Sequence, residues 1–113
     1  MVFSKNIAVG NEITVEDAAR KIGENSVCVL DVRAPGERTR GYIEGSENIN
    51  FYDQDFKNKL EKLDRSKTYI VHCAGGGRSS KAVKIMKELG FGSAYNLIGG
   101  FGEWVKKGMK VGE

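Results

Sequence analysis

Apolar positions along the chain fall into short continuous runs and longer stretches with helical spacing. The first helical stretch opens at Thr14, a good N-cap, with Asp17 at the capping-box position and Val15, Ala18, Ala19 and Ile22 on one face; Gly23 ends it. Residues 27–32 are continuous, apolar and β-branched up to Asp31, the pattern of a strand covered on both faces. Pro35-Gly36 breaks that run, and Pro35 suits the first turn of a short helix through Arg40. Gly41 and Gly45 bracket a turn, and a short strand is expected at 48–50. Asp53 is expected to cap a helix through Leu63, with Phe56, Leu60 and Leu63 on its buried stripe. Residues 68–72 form the second clear buried strand. Residues 79–89 read as a strong helix: Ala82, Val83, Ile85, Met86 and Leu89 face inward, while Lys81, Lys84 and Lys87 face water. Gly90 sits where a helix needs a left-handed residue to close. A third short strand at 94–97, a turn at Gly99-Gly100 and a last helix over 101–107 carrying Trp104 complete the pattern. Alternating strands and helices specify an α/β fold with a parallel sheet covered on both faces. With no repeat, linker or low-complexity tract, residues 1–113 read as one domain.

Composition narrows the function. Forty per cent hydrophobic and 29% charged residues are ordinary for a globular domain, and the apolar runs are too short to span a bilayer. The net charge of +3 comes with lysines spread along the chain, not gathered in a basic block, so nucleic acid is not an expected partner. Two cysteines, Cys28 and Cys73, cannot make a disulfide scaffold or a four-ligand zinc site. Met1 to Asn6 lacks the apolar core of a secretory signal. A cytoplasmic location is the expectation. Glycine is over-represented at 15 residues and clusters at Gly75-Gly76-Gly77, one residue beyond Cys73.

That cluster carries the candidate chemistry. In open parallel sheets ligands bind beyond the carboxyl ends of strands. Cys73 stands at such an end, before Ala74-Gly75-Gly76-Gly77-Arg78-Ser79 and a helix. Amides at a helix N-terminus lack partners and the helix dipole adds positive potential there. Glycines let successive amides converge into an anion nest. A thiolate is stabilised in such a nest, so the Cys73 pKa should fall below the ~8.5 of a free cysteine, and the thiolate is the nucleophilic form. The amides of residues 74–79 are expected to curve around the sulfur and leave it open to solvent. Cys28, inside an apolar strand, reads as a small core hydrophobe. The loop lacks the Lys-Ser/Thr ending of a P-loop and the spacing of a dinucleotide site.

The order Leu30-Asp31-Val32-Arg33, then Pro35, Glu37, Gly41, Ile43, Gly45 and Asn48, then Cys73 with Gly76, Arg78 and Ser79, then Tyr95-Asn96-Leu97 with Gly99-Gly100 and Trp104, resembles the single-domain rhodaneses, a sulfurtransferase family. The resemblance runs from about residue 14 to 111. It implies a small three-layer α/β/α domain around a central, mainly parallel five-stranded sheet. It also implies that Cys73 carries a sulfane sulfur as a persulfide, taken from a donor and passed to a nucleophilic acceptor, with no metal and no organic cofactor. Expected partners are a small sulfur donor and acceptor or a persulfide-carrying protein, acting on a monomer or weak homodimer. A sulfur relay with little small-molecule turnover is the alternative. Cysteine phosphatases and arsenate reductases of related architecture are disfavoured, because they place five residues between Cys and Arg and this chain has four.

The chain departs from the family pattern in ways that bear on specificity. Many thiosulfate-using members carry a basic residue after the cysteine, where this chain has Ala74. A dianionic donor would therefore be recognised mainly through backbone and Arg78, and a persulfide donor is at least as well suited. Tyr42 and Arg38 replace the family's usual His and aromatic residue, at positions expected on the substrate rim or the surface. Among the remaining polar residues, His72 should point away from Cys73 and serve structure. Asp31 and Arg33, at the end of a neighbouring strand, are expected to support the loop, through its amides or by holding Arg33 or Arg78 by charge. Trp104 and Phe101 are expected to pack in the core, with lining of the site mouth as the alternative.

Overall fold

The computed structural model describes residues 11–112. Its elements are β1 (Glu12–Ile13), α1 (Val15–Lys21), β2 (Val27–Asp31), α2 (Pro35–Arg38), β3 (Glu47–Asn48), α3 (Phe56–Glu61), β4 (Thr68–His72), α4 (Gly77–Glu88), β5 (Ala94–Leu97) and α5 (Gly100–Lys106). The strands form one five-stranded sheet in the order β1-β5-β4-β2-β3, and every pairing is parallel. Parallel strands need crossovers, and here the helices supply most of them. Alternate side chains of β2 and β4 therefore enter two separate cores. Leu30, Val71 and Cys73 pack with Phe56 and Leu60 of α3 and Ala82, Val83 and Met86 of α4. Val29 and Ile70 pack on the opposite face with Val15 and Ala18 of α1 and Trp104 of α5. This is the expected α/β layering.

Local sequence explains the element ends. Thr14 Oγ1 accepts from the Asp17 amide at 3.1 Å, and α1 follows. Pro35 stands in the first turn of α2, which stops at Arg38, two residues before the expected end. Gly90, at φ +98°, follows the C-cap of α4, as its position required. Asp53 does not cap α3: its carboxylate accepts from the Asp55 amide at 2.9 Å and pairs with Lys59, and the helix begins at Phe56. The short third strand lies at Glu47–Asn48, ahead of the expected 48–50. The opening strand β1 is two residues long and carries no periodicity to read. The reading of Met1 to Asn6 lies outside the described residues. Among the described residues, no helix is long and apolar enough to cross a membrane.

Candidate active site

β4 ends at His72, and Cys73 to Gly76 turn the chain into α4. Gly76 takes φ +118° as the N-cap, a conformation that carries a steric penalty for any residue with a Cβ. That turn aims its amide at the sulfur: Gly76 N donates to Cys73 Sγ at 3.0 Å. Ser79 lies in the first turn of α4, where amides have no intrahelical acceptor, and its N donates to Sγ at 3.4 Å. The Ser79 hydroxyl stands 3.3 Å from the same sulfur. Burial pushes the Cys73 thiol up, but the Ser79 hydroxyl and amide and the Gly76 and Gly75 amides together outweigh it. The thiol is held below its ordinary value.

The loop thus curves around the sulfur, but the sulfur is not open as expected: Cys73 is 2% exposed. Strand alternation explains this. Cys73 continues the inward set of Leu30 and Val71, and α4 packs over that face. Ala74, Gly75 and Gly77 remain exposed, so the loop itself lies at the surface. A desolvated sulfur facing fixed amides is a setting in which those dipoles act strongly, since water does not compete with them.

The loop's carbonyls are held from the other side. Phe101 N donates to Cys73 O at 2.8 Å, and Gly102 N donates to Ala74 O at 3.1 Å. Gly100, at φ +60°, permits this approach, since a Cβ there would lie 2.7 Å from both Cys73 O and Ala74 O. The Gly99-Gly100 pair is therefore a clamp on the loop as well as a turn.

The charged residues divide differently from expectation. Arg78 does not touch the sulfur. Its guanidinium makes a two-point pair with Glu37 of α2, Nη1 to Oε1 at 2.8 Å and Nη2 to Oε2 at 2.9 Å. Glu37 also accepts from the Ala34 amide at 2.9 Å. The Arg78 hydrogen bonds, helped by that amide, hold the Glu37 carboxyl at about 2. Of its expected roles, Asp31 takes that of holding Arg33 by charge; it does not reach the loop amides and does not hold Arg78. It accepts from Arg33 Nε at 3.0 Å, Arg33 Nη2 at 2.9 Å and Arg38 Nη1 at 3.2 Å. Asp31 is fully buried, and burial alone would raise its carboxyl, but the hydrogen bonds from the Arg33 side chain and amide, with the Arg33 charge, keep it lowered. Arg38 is partly exposed and well anchored: it also donates to Ser46 Oγ at 2.9 Å and Ser46 O at 2.7 Å, and lies 4.5 Å over the Tyr42 ring.

His72 faces the second core, stacked on Phe101 at 5.9 Å. Its Nδ1 lies 3.2 Å from Cys73 O, and its Nε2 is buried with no hydrogen-bond partner among the described residues. Burial lowers its pKa. Phe101, half-buried, has the Arg33 guanidinium 4.1 Å over its ring. Trp104 is buried and donates from Nε1 to Lys110 O at 2.8 Å. Three residues of the site went without a role in the sequence reading: Glu37, Asn96 and Gly100. Asn96 Oδ1 lies 2.6 Å from Ser79 Oγ. All three stand within recurring motif segments, and that is the one signal by which sequence could have found them.

The chain is similar to known proteins. The family model described as rhodanese-like domain matches residues 14–107. Thiosulfate sulfurtransferase GlpE of Pseudomonas paraeruginosa is 33% identical over 89 residues, covering 78% of each chain. Thiosulfate sulfurtransferase 16, chloroplastic, of Arabidopsis thaliana is 31% identical over 90 residues, covering 71% of this chain and 75% of that protein. The crystal structure of a rhodanese-related protein from Thermoplasma volcanium superposes with a TM-score of 0.81 at 34% identity, covering 90% of this chain and 97% of that one.

Proposed function

Since the chain belongs to the rhodanese-like family, whose named relatives support a sulfurtransferase, we propose that it moves sulfane sulfur through a persulfide on Cys73. In the first half-reaction the Cys73 thiolate attacks the sulfane sulfur of the donor. The donor's S–S bond breaks, its electron pair leaves with the donor thiolate or sulfite, and a Cys73 Sγ–S⁻ persulfide forms. In the second half, a nucleophilic acceptor attacks the outer sulfur. The Sγ–S bond breaks and its electrons return to Sγ. Charge is thus shed onto Sγ in the second step, where Gly76 N, Ser79 N and Ser79 Oγ converge within 3.4 Å. Donors fixed before the charge develops need no reorganisation, which is the basis of oxyanion-type stabilisation.

That convergence on one sulfur is the observation that carries the reading. Loop length supports it over a phosphatase: four residues separate Cys73 from Arg78. Arg78 is already paired with Glu37, and Ala74 to Gly77 offer no charged side chain, so the loop presents no unpaired cation. This favours a carbon-bound persulfide, small or protein-borne, as the donor over the thiosulfate dianion. Steady-state kinetics with each donor and a cyanide or thiol acceptor test the reading. Ping-pong patterns are expected, with higher kcat/KM for the persulfide. Intersecting patterns with unchanged rates in Cys73→Ser would refute it. Rapid transfer from a protein persulfide with negligible turnover of small donors would identify a relay, the alternative reading.

A further inference from the structure

The Ser79 hydroxyl has one hydrogen and two acceptors. Asn96 Oδ1 lies 2.6 Å away and Cys73 Sγ 3.3 Å away. Ser79 is fully buried and Asn96 is 6% exposed. The hydrogen given to Asn96 is therefore withheld from the sulfur. Asn96 is held rigidly in β5, between β1 and β4, where its backbone N donates to Asn11 O at 2.6 Å. We propose that Asn96 is a positioning residue that draws the Ser79 proton away from Cys73, favouring the neutral thiol at rest and yielding the proton when Sγ becomes anionic. In the thiol, the Cys73 S–H donates to Ser79 Oγ and Ser79 donates to Asn96. In the thiolate, the hydroxyl rotates and donates to Sγ, and the bond to Asn96 is given up.

The other charged and titratable groups near the sulfur are separately anchored. Arg78 of α4 is paired with Glu37 of α2, and Arg78 also lies 5.6 Å over the Tyr52 ring. His72 of β4 faces Asp31 of β2, which Arg33 and Arg38 neutralise. Asn96 Oδ1 and Cys73 Sγ are the two acceptors that compete for the one Ser79 hydroxyl proton.

The inference uses the same cysteine as the proposed function but is read without any sulfur transfer. The experiment is an ultraviolet thiolate titration in a Cys28→Ser background, with folding of each variant checked by circular dichroism. Ser79→Ala should raise the Cys73 pKa by about one unit, since a hydrogen bond to a charged group is lost. Asn96→Ala should lower it by roughly half a unit, since the hydroxyl is released to the sulfur. In the Ser79→Ala background, Asn96→Ala should shift nothing further, because its effect runs through Ser79. Asn96→Leu fills the side-chain volume without an acceptor and should match Asn96→Ala, so it carries the test if the alanine variant does not fold. A rise in pKa on losing the Asn96 acceptor would overturn the proposal, as would an equal Asn96 effect with and without Ser79. Absence of sulfur transfer in the wild-type protein, with these shifts intact, would count against the proposed function and leave this inference standing.

Discussion

Arg78 and Glu37 meet in a two-point ion pair at 2.8 and 2.9 Å, across 41 residues of sequence. The pair ties the first turn of α4 to α2, and so fixes the end of the loop that holds Cys73. Its arginine acts as a brace on the loop more than as a direct ligand to the sulfur.

The brace has a pH signature. The Glu37 carboxyl is lowered from 4.5 to about 2. A depressed acid contributes stability that is fully present above 4.5 and lost as pH falls toward 2. Urea unfolding of wild type and Glu37→Gln should therefore differ at neutral pH, with the gap closing between those values. A gap of constant size down to the lower value would mean the pair adds nothing. Because the pair is partly exposed, the gap should be modest. Arg78→Ala should slow sulfur transfer and raise the Cys73 pKa through loosening of the loop, and Glu37→Gln should reproduce part of both effects. An unchanged thiolate titration in Arg78→Ala would show that the loop holds without it.

Neighbouring glycines should respond in opposite ways. Gly76 is at φ +118° and its amide holds the sulfur. Gly76→Val should cost about 1–3 kcal/mol and raise the thiol pKa through loss of one of its donors. Gly77 has open space at its Cβ position and no left-handed φ. Gly77→Ala should be neutral or stabilising by up to about 1 kcal/mol, with transfer retained. Gly100→Ala places a Cβ against two carbonyl oxygens at 2.7 Å and should lose stability and activity together. Thermal melts and transfer rates on the three variants check this order.

Asp31 is a buried carboxylate between Arg33 and Arg38. Asp31→Ala leaves their charges uncompensated and should cost about 3–5 kcal/mol in chemical denaturation. A loss below about 1 kcal/mol would mean that water or another acid satisfies the arginines.

His72 is kept neutral by burial, so its folded pKa lies below 6.5. The unfolded chain then binds a proton that the folded chain does not. Stability from this group is complete above 6.5 and declines as pH falls below it. His72→Phe retains the stacking on Phe101 and should flatten that decline. An identical pH profile in wild type and variant would contradict it.

How much of this was legible in sequence depended on range. The strand at Thr68–His72 lies where its apolar run placed it, because a strand buried on both faces carries a near-continuous apolar signature, and the one at Ala94–Leu97 lies at its expected bounds although Asn96 interrupts its apolar run. The α4 helix begins at Gly77, two residues before its periodicity starts, since the helix start is set by Gly76 geometry and not by an apolar face. The Ser79 amide still lies in the first turn, where it is free for the sulfur. Cys73, Gly76 and Ser79 were readable as a unit because they lie within seven residues. Glu37, Asn96 and Gly100 reach the loop from α2, β5 and α5, and only the parallel strand order brings those segments together. The burial of Cys73 was missed because the glycine loop suggested exposure, while the alternation of β4 continued one residue past its end.

Intact-protein mass after incubation with a sulfane donor and removal of excess reagent is the direct measure of whether residue 73 stores sulfur. The persulfide account predicts a gain of one sulfur atom on wild type and Cys28→Ser, none on Cys73→Ser, and its loss on adding a thiol acceptor. An unmodified wild-type mass with every donor tried, or the same gain in Cys73→Ser, would contradict it.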